Sequence, residues 1–143
     1  MNLLNPYLNF EGTCEEAFLF YKSVFGGDFD SLMRYEEMPP QEGMPDFPDS
    51  HKQKIMHMSL PVGGNTLMGS DAFEGCGDRL TYGNNISLTI ATDSREEADR
   101  IFNALSSGGE VVMPMDDMFW GDYYGMLKDK YSINWMIFFS KQE

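Results

Sequence analysis

Of the two histidines in this sequence, His57 is the candidate for acid–base chemistry. His57 lies in an alternating stretch, and an imidazole titrates near neutral pH, so it is a candidate general base for any substrate within its reach. A structural histidine held by hydrogen bonds fits the same pattern. No other catalytic residue is assigned, because Cys14 and Cys76 have no obvious activating partner and are interpreted as reduced thiols.

Aromatic side chains form the second group of interest. Trp120, Tyr123 and Tyr124 are interleaved with glycines, and together they offer flat faces and hydroxyl groups to a planar or cationic ligand. A β-turn with core aromatics is the competing interpretation. A segment containing Gly75 and Gly77 lacks the third glycine of a dinucleotide fingerprint, so no nucleotide site is inferred.

The first half of the chain has a strand–helix–strand pattern followed by a hairpin. A capping box of Thr13 and Glu16 opens the predicted helix. Alternation of apolar and polar residues predicts the strands, and prolines predict the loop. The predicted elements are a strand Leu4–Phe10, a helix Thr13–Phe25, a strand Asp28–Glu37, a loop Met38–Ser50, and a hairpin of Gln53–Pro61 and Thr66–Ser70.

The second half repeats this order. Ser94 and Glu97 form another capping box, and a Glu-Glu-Ala triplet occurs near the start of both helices. The predicted elements are a strand Asn85–Thr92, a helix Glu96–Leu105, and strands Glu110–Met118, Tyr123–Lys128 and Ile133–Ser140. We therefore predict an α+β domain over residues 1–143, made of two βαβββ repeats at about 1–70 and 84–143, with a linker at 71–83.

Alternation also predicts which side chains share the more polar face of each strand. The expected same-face pairs are Asn5 with Tyr7, His57 with Ser59, Asn85 with Ser87, and Met136 with Asn134. A polar-lined cavity follows from these faces. The predicted ligand-binding residues are Asn5, Tyr7, His57, Asn85, Ser87, Trp120, Tyr123, Tyr124 and Met136.

Composition excludes some classes of partner. The formal net charge of -13 repels nucleic-acid phosphates and anionic lipid surfaces. No apolar run approaches the roughly 20 residues that span a bilayer, and the start of the chain lacks the features of a signal peptide. We therefore expect a cytoplasmic protein with no nucleic-acid or membrane partner.

With the repeat in view, the sequence resembles the vicinal oxygen chelate superfamily, which includes glyoxalase I, bleomycin-resistance proteins and extradiol dioxygenases. The resemblance is closest to its PhnB-like branch. It covers nearly the whole chain, and the stretches that carry it are Asn5–Phe10, Glu15–Ala17, Phe20–Gly27 and Phe119–Gly125. It implies a glyoxalase-like fold, in which two βαβββ modules form curved mixed sheets around a cavity, together with a homodimer and often a divalent metal.

The sequence offers few suitable ligands for the metal that the resemblance implies. In metal-dependent members the ligands lie on the first and last strands of each module, at positions that correspond here to Asn5, His57, Asn85 and Met136. Only the imidazole is a good ligand for zinc or nickel. We predict no metal ligands and no cofactor, and a divalent metal is disfavoured.

Three function classes follow from the sequence. The first is a binding protein for a small, partly aromatic molecule, similar to the bleomycin-resistance proteins. The second is a metal-dependent lyase, transferase or dioxygenase of glyoxalase type. The third is a protein-interaction or regulatory subunit that docks through its acidic surface and the proline-rich segment Met38–Pro48.

Overall fold

The computed structural model describes residues 3–37, 49–72 and 80–141. The chain divides into two compact units, residues 1–80 and 81–143, which are described separately below. The proline-rich segment 38–48 and most of the predicted linker, residues 73–79 with Cys76, lie outside the described residues.

Unit 1 contains a four-stranded sheet and one long helix. Strand β4 pairs in parallel with β1 and antiparallel with β3, and β3 pairs antiparallel with β2, so the order across the sheet is β1-β4-β3-β2. The elements are β1 (Tyr7–Phe10), α1 (Cys14–Phe25), β2 (Ser31–Arg34), a 3₁₀ turn (Tyr35–Glu37), a short helix α2 (Asp49–Lys52), β3 (Ile55–Val62) and β4 (Asn65–Asp71).

Unit 2 repeats the same arrangement. Its sheet has the order β5-β8-β7-β6, with β5 parallel to β8 and the other neighbours antiparallel. The elements are β5 (Leu88–Ala91), α3 (Arg95–Ser106), β6 (Glu110–Asp117), β7 (Asp122–Lys128) and β8 (Asn134–Ser140). In both units the first strand pairs with the last, so the α+β prediction of two βαβββ modules with mixed sheets is confirmed.

Several predicted element boundaries are wrong. Strand β1 starts at Tyr7, and Leu4 before it is 87% exposed. Strand β5 starts at Leu88, which leaves Asn85 and Ser87 in the preceding segment. Residues 49 and 50, predicted as loop, begin the helix α2. Local alternation extends beyond the backbone pairing in the first two cases, because a strand ends where its partner's hydrogen bonds end.

The two predicted helix caps have different outcomes. Ser94 accepts a hydrogen bond from the backbone N–H of Glu97 at 3.1 Å, as predicted. Thr13 makes no side-chain cap, so that prediction is wrong. The carboxylate of Asp71, at the end of the neighbouring strand β4, accepts the backbone N–H of Cys14 instead.

Asp71 is the buried charge that joins three elements of unit 1. One carboxylate oxygen accepts the Cys14 N–H at 2.9 Å and the other accepts the Ile55 N–H at 2.8 Å. The residue is 1% exposed, so these bonds satisfy a carboxylate that water does not reach. Burial, and then the negative charges of Asp71 and Glu15, raise the pKa of the Cys14 thiol far above its ordinary value, which keeps it protonated.

Helix α1 covers one face of the first sheet at close range. Its buried residues are Cys14, Ala17, Phe18, Tyr21 and Val24. A Cβ added to Gly69 on β4 would lie 2.7 Å from a ring carbon of Phe18 and 3.0 Å from the carbonyl oxygen of Leu8. Gly69 therefore faces the helix, and so does Met58, its register partner on β3.

In unit 2 a glycine also allows the helix to approach its sheet closely. A Cβ added to Gly125 on β7 would lie 2.9 Å from the ring of Phe102 on α3 and 2.6 Å from the sulfur of Met115. Another buried carboxylate, Asp129, organises the β7–β8 turn by accepting the backbone N–H groups of Tyr131 and Ile133 and the indole N–H of Trp135. Alternate residues of β7 and β8 therefore face α3, and the residues between them face away.

Strand β3 departs from the simple alternation that the sequence suggests. The pairing with β2 steps from Met33↔His57 to Arg34↔Ile55, so Met56 has no register partner. This β-bulge puts Ile55 in phase with the buried residue Met58, whereas strict alternation along the strand would place Ile55 on the face of His57. Alternation fails here because it assumes an uninterrupted strand.

Substitution of Gly69 by alanine tests the close approach of α1 to its sheet. The new methyl group overlaps Phe18 and a backbone oxygen, so we expect a loss of about 1–3 kcal/mol in the free energy of unfolding, measured by urea denaturation. Gly64→Ala is the matched control, because nothing lies within 4 Å of its added Cβ. Equal effects of the two substitutions would contradict this packing.

Asp71→Asn tests the buried carboxylate. The amide keeps one acceptor but turns an NH₂ group toward a backbone N–H, so we expect a loss of about 2–3 kcal/mol in unfolding free energy. Asp28→Asn removes only an exposed contact to Lys22, and we expect it to change stability by less than about 0.5 kcal/mol. A stability of Asp71→Asn equal to that of this control would refute the assigned role.

Candidate functional site

In unit 1, the face of the sheet away from α1 holds a tyrosine–histidine pair. The Tyr7 hydroxyl lies 3.3 Å from Nδ1 of His57, and the two ring centroids are 5.7 Å apart at an interplanar angle of 32°. Tyr7 alternates with the helix-facing Leu8, and His57 precedes the helix-facing Met58, which explains why both point away from the helix. The structure thus brings together two of the residues predicted from the sequence.

Polar contacts continue along this face. Asn9, two residues after Tyr7, lies on the same face, and the Ser70 hydroxyl is 3.4 Å from its Oδ1. Neither residue was predicted as part of the site, although the alternation of β1 and β4 places both there. Asn5 lies just before β1, and its Oδ1 accepts the backbone N–H of Thr66 at 3.0 Å. That bond occupies the oxygen of Asn5 in holding the start of β4.

In unit 2, the face away from α3 holds an aromatic pair at the start of β7. The rings of Trp120 and Tyr124 lie 6.0 Å apart in an edge-to-face arrangement, and Phe119 packs against Trp120 in the same way at 4.9 Å. The Trp120 indole N–H donates to Asp122 at 3.0 Å, which fixes the orientation of the ring. Trp120 is 53% exposed, so a flat aromatic surface is held in place and open to solvent.

Met136 lies on this same face of the second sheet. It is opposite Met126 on β7 and Thr89 on β5, and its sulfur is 4.0 Å from the Thr89 hydroxyl. Tyr124 and Met126 alternate along β7 with the helix-facing Gly125. The structure therefore brings Trp120, Tyr124 and Met136 to one face.

Tyr123 lies on the opposite face from its neighbour Tyr124. Its hydroxyl donates to Asp99 of α3 at 2.5 Å, and the guanidinium of Arg95 lies 3.9 Å from its ring centroid. The hydrogen bond to Asp99, with a smaller contribution from burial, raises the pKa of the Tyr123 hydroxyl. Successive residues of a strand point to opposite faces, so Tyr123 and Tyr124 do not share a site within this sheet.

Arg95 continues that network toward the end of β6. It donates to Asp117 at 2.8 Å, and Lys141 donates to the same oxygen at 2.7 Å. The hydrogen bonds from Lys141 and then Arg95 lower the pKa of the Asp117 carboxyl. The network belongs to the helix side of unit 2 and fastens α3 to the ends of β6 and β8.

Asn85 and Ser87 lie in the segment that leads into β5. The side chain of Asn134 holds this segment by donating to the carbonyl oxygens of Gly83 at 2.9 Å and Ile86 at 3.3 Å. Asn85 is exposed, and Ser87 is half-buried. Hydrogen bonds from the Asn134 side chain to backbone carbonyls, rather than strand pairing, position this part of the predicted site.

The donor chemistry at the four family-type ligand positions does not fit a catalytic divalent ion. One imidazole, two carboxamides and one thioether stand where zinc or nickel needs three imidazole, thiolate or carboxylate ligands. The Asn5 oxygen accepts a backbone N–H, and the Met136 thioether lies against a hydroxyl group. Among residues 3–37, 49–72 and 80–141, no group of three or more His, Cys, Asp or Glu side chains is placed to share one ion.

In the part of the chain that the structure describes, no helix is long and apolar enough to span a bilayer.

Two comparisons with known proteins match nearly the whole chain. A family model described as 3-demethylubiquinone-9 3-methyltransferase matches residues 2–138. The protein YjdN of Escherichia coli strain K12 is 30% identical, and the match covers 98% of this chain and 97% of YjdN.

Solved structures agree with this result. The protein PA1353 from Pseudomonas aeruginosa has a TM-score of 0.82 at 34% identity and covers 98% of both chains. A Bacillus cereus PhnB protein, described as a putative 3-demethylubiquinone-9 3-methyltransferase, has a TM-score of 0.77 at 27% identity and covers 96% of this chain and 98% of its own.

A more distant structure shows the fold alone. A glyoxalase/bleomycin resistance protein/dioxygenase family enzyme from Burkholderia phytofirmans has a TM-score of 0.59 at 16% identity, with 93% of this chain and 95% of that chain covered. Together with the sheet order, these matches establish a glyoxalase-like fold. The chain belongs to the 3-demethylubiquinone-9 3-methyltransferase family, the PhnB-like branch of the vicinal oxygen chelate superfamily.

Proposed function

We propose that this protein binds a small, partly aromatic molecule and that it lacks the complete metal site of its superfamily. The observation that supports this most directly is the Trp120–Tyr124 pair, whose exposed indole ring is oriented by Asp122. Rigid aromatic faces bind planar ligands at low entropic cost, because their side chains have few rotatable bonds. Flexible thioethers beside them adapt to ligands of varied shape.

The tyrosine–histidine pair of unit 1 adds polar recognition to this proposal. His57 has one nitrogen near the Tyr7 hydroxyl, and its other nitrogen can serve as donor or acceptor according to the tautomer. A carbonyl or hydroxyl group on a ligand is the natural partner for such a pair. The same geometry supports the enzyme alternative, in which His57 acts as a general base.

Two further properties are carried with the proposal. We infer a homodimer and a cytoplasmic location, and both rest on the family resemblance and on the composition of the chain rather than on any contact described above. Analytical ultracentrifugation of the purified protein measures the oligomeric state directly.

Acridine, a flat aromatic heterocycle, is a suitable first probe for the aromatic pair. We expect it to quench the fluorescence of Trp120, since the second tryptophan, Trp135, is only 3% exposed. Calorimetry should show binding that Trp120→Ala and Tyr124→Ala each weaken about tenfold, which corresponds to about 1.4 kcal/mol of stacking. A demethylubiquinone, the compound in the family description, is the second probe.

Tyr131→Ala is the matched control for this experiment. Tyr131 is also an aromatic residue of unit 2. It lies in the turn after β7, whereas Tyr124 lies near the start of that strand. Unchanged acridine affinity in both site variants, or an equal loss in Tyr131→Ala, would remove the aromatic pair from the site.

Metal analysis separates the binding protein from the enzyme alternative. We expect untagged protein incubated with zinc, nickel or manganese and then gel-filtered to retain well under one ion per chain, because the family-type positions supply only one strong donor. Elemental analysis of the wild type and His57→Ala is the measurement. About one ion per chain that disappears in His57→Ala would support a metal-dependent lyase, transferase or dioxygenase instead.

A further inference from the structure

Three methionines lie in one straight row across the second sheet. Met113 on β6 is opposite Met126 on β7, and Met126 is opposite Met136 on β8. Residues opposite each other in antiparallel strands share a face, with Cβ atoms about 5 Å apart. Three thioether side chains on neighbouring strands therefore lie on the face that carries Tyr124.

A register shift between β6 and β7 brings Met113 into this row. The pairing of β6 with β7 steps from Val111↔Leu127 to Met113↔Met126, so Val112 has no register partner. An uninterrupted ladder would place Val112 opposite Met126 and turn Met113 to the other face. A bulge that re-aims one side chain is a feature typical of functional sites, and here the re-aimed side chain is a thioether.

The row is both anchored and reachable. At its inner end, the Met136 sulfur lies 4.0 Å from the Thr89 hydroxyl, and Met126 is half-buried between its two neighbours. At its outer end, Met113 is 39% exposed on the edge strand. A small solute can therefore approach the row from the β6 edge without displacing the core.

The chemistry of the row selects a narrow class of ligand. Thioether sulfur is a soft, uncharged donor that prefers Cu(I) over Zn²⁺, Mg²⁺ or Ca²⁺. The outer two strands are about 10 Å apart, and Met113 and Met136 each have three rotatable bonds that allow the sulfur to turn toward Met126. For Met136 this turn takes the sulfur away from the Thr89 hydroxyl on β5. The net charge of -13 favours the approach of any cation.

We propose that Met113, Met126 and Met136 form a binding site for a soft monovalent cation of the Cu(I) class. The site shares Met136 with the family-type ligand positions, but its other two donors are thioethers from β6 and β7, and it needs none of Asn5, His57 and Asn85. It goes beyond the proposed small-molecule function. It also accounts for the register of the three methionines, because filling the core does not require them to lie opposite one another.

Silver(I), which does not change its oxidation state during a titration, is the probe. The full-length protein is labelled with ¹³C at its methionine methyl groups, which gives twelve signals to follow by NMR. We expect the three signals of the row to shift together and to saturate near one equivalent of Ag(I), while Zn²⁺ leaves them unchanged. This readout distinguishes thioether binding from reaction at Cys76 or another thiol.

Leucine variants assign the signals and measure each contribution. Met126→Leu and Met113→Leu conserve side-chain volume. In each variant we expect the methyl signals of the two remaining methionines to need about ten times more Ag(I) for the same shift. Met33→Leu on β2 is the matched control, since Met33 is also 39% exposed and lies outside the row. The unaffected methyl signals show in each case that the variant is folded.

Two results would overturn the site. One is the absence of any shift in the three methyl signals at several equivalents of Ag(I), and the other is a loss of affinity in Met33→Leu equal to that in Met126→Leu. Failure of acridine binding leaves this result untouched, because acridine reports on Trp120 and Tyr124 and silver reports on the methionine sulfurs.

Discussion

The buried carboxylate of Asp71 is the interaction on which the first unit most depends. Its two oxygens accept one backbone N–H from the start of α1 and one from the start of β3, and its own backbone ends β4. A charge this deep is tolerated only while both oxygens are bonded, so the position of the helix over the sheet is tightly determined. The close contact between Gly69 and Phe18 then sets how near the helix comes.

Because the helix occupies one face, the recognition chemistry that we propose falls on the other. Helix-facing positions are filled by tight contacts such as Gly69 with Phe18 and Gly125 with Phe102, which leave no room for a ligand. The Tyr7–His57 pair, the Trp120–Tyr124 pair and the methionine row all alternate with those buried positions. Tyr123 follows the same rule. It is one residue from Tyr124 and therefore points to the helix side, where it contacts Asp99 and Arg95.

The sequence predicts the repeat, the two long helices and nearly all the strands, because capping residues and alternation are local signals. It does not predict what depends on distant partners. Thr13 has the right side chain for a cap, yet Asp71, 57 residues beyond Cys14, supplies the acceptor. Asn85 alternates correctly with Ser87, but pairing with β8 begins only at Leu88. Tyr7 and His57 were placed on polar faces by alternation, while their mutual contact required the order of the sheet.

Two of the three register shifts, one in β3 and the first of two in β6, explain how the exposed faces obtain side chains that alternation alone would misplace. In β3, an uninterrupted strand forces Ile55 onto the face of His57, and the skipped Met56 allows Ile55 to be buried while His57 points away from the helix. In β6, the skipped Val112 brings Met113 into line with Met126. Both bulges occur in the equivalent pair of strands, β2–β3 and β6–β7. A bulge costs ladder hydrogen bonds, so its presence beside His57 in one unit and beside the methionine row in the other favours these two positions as the ones that recognition requires.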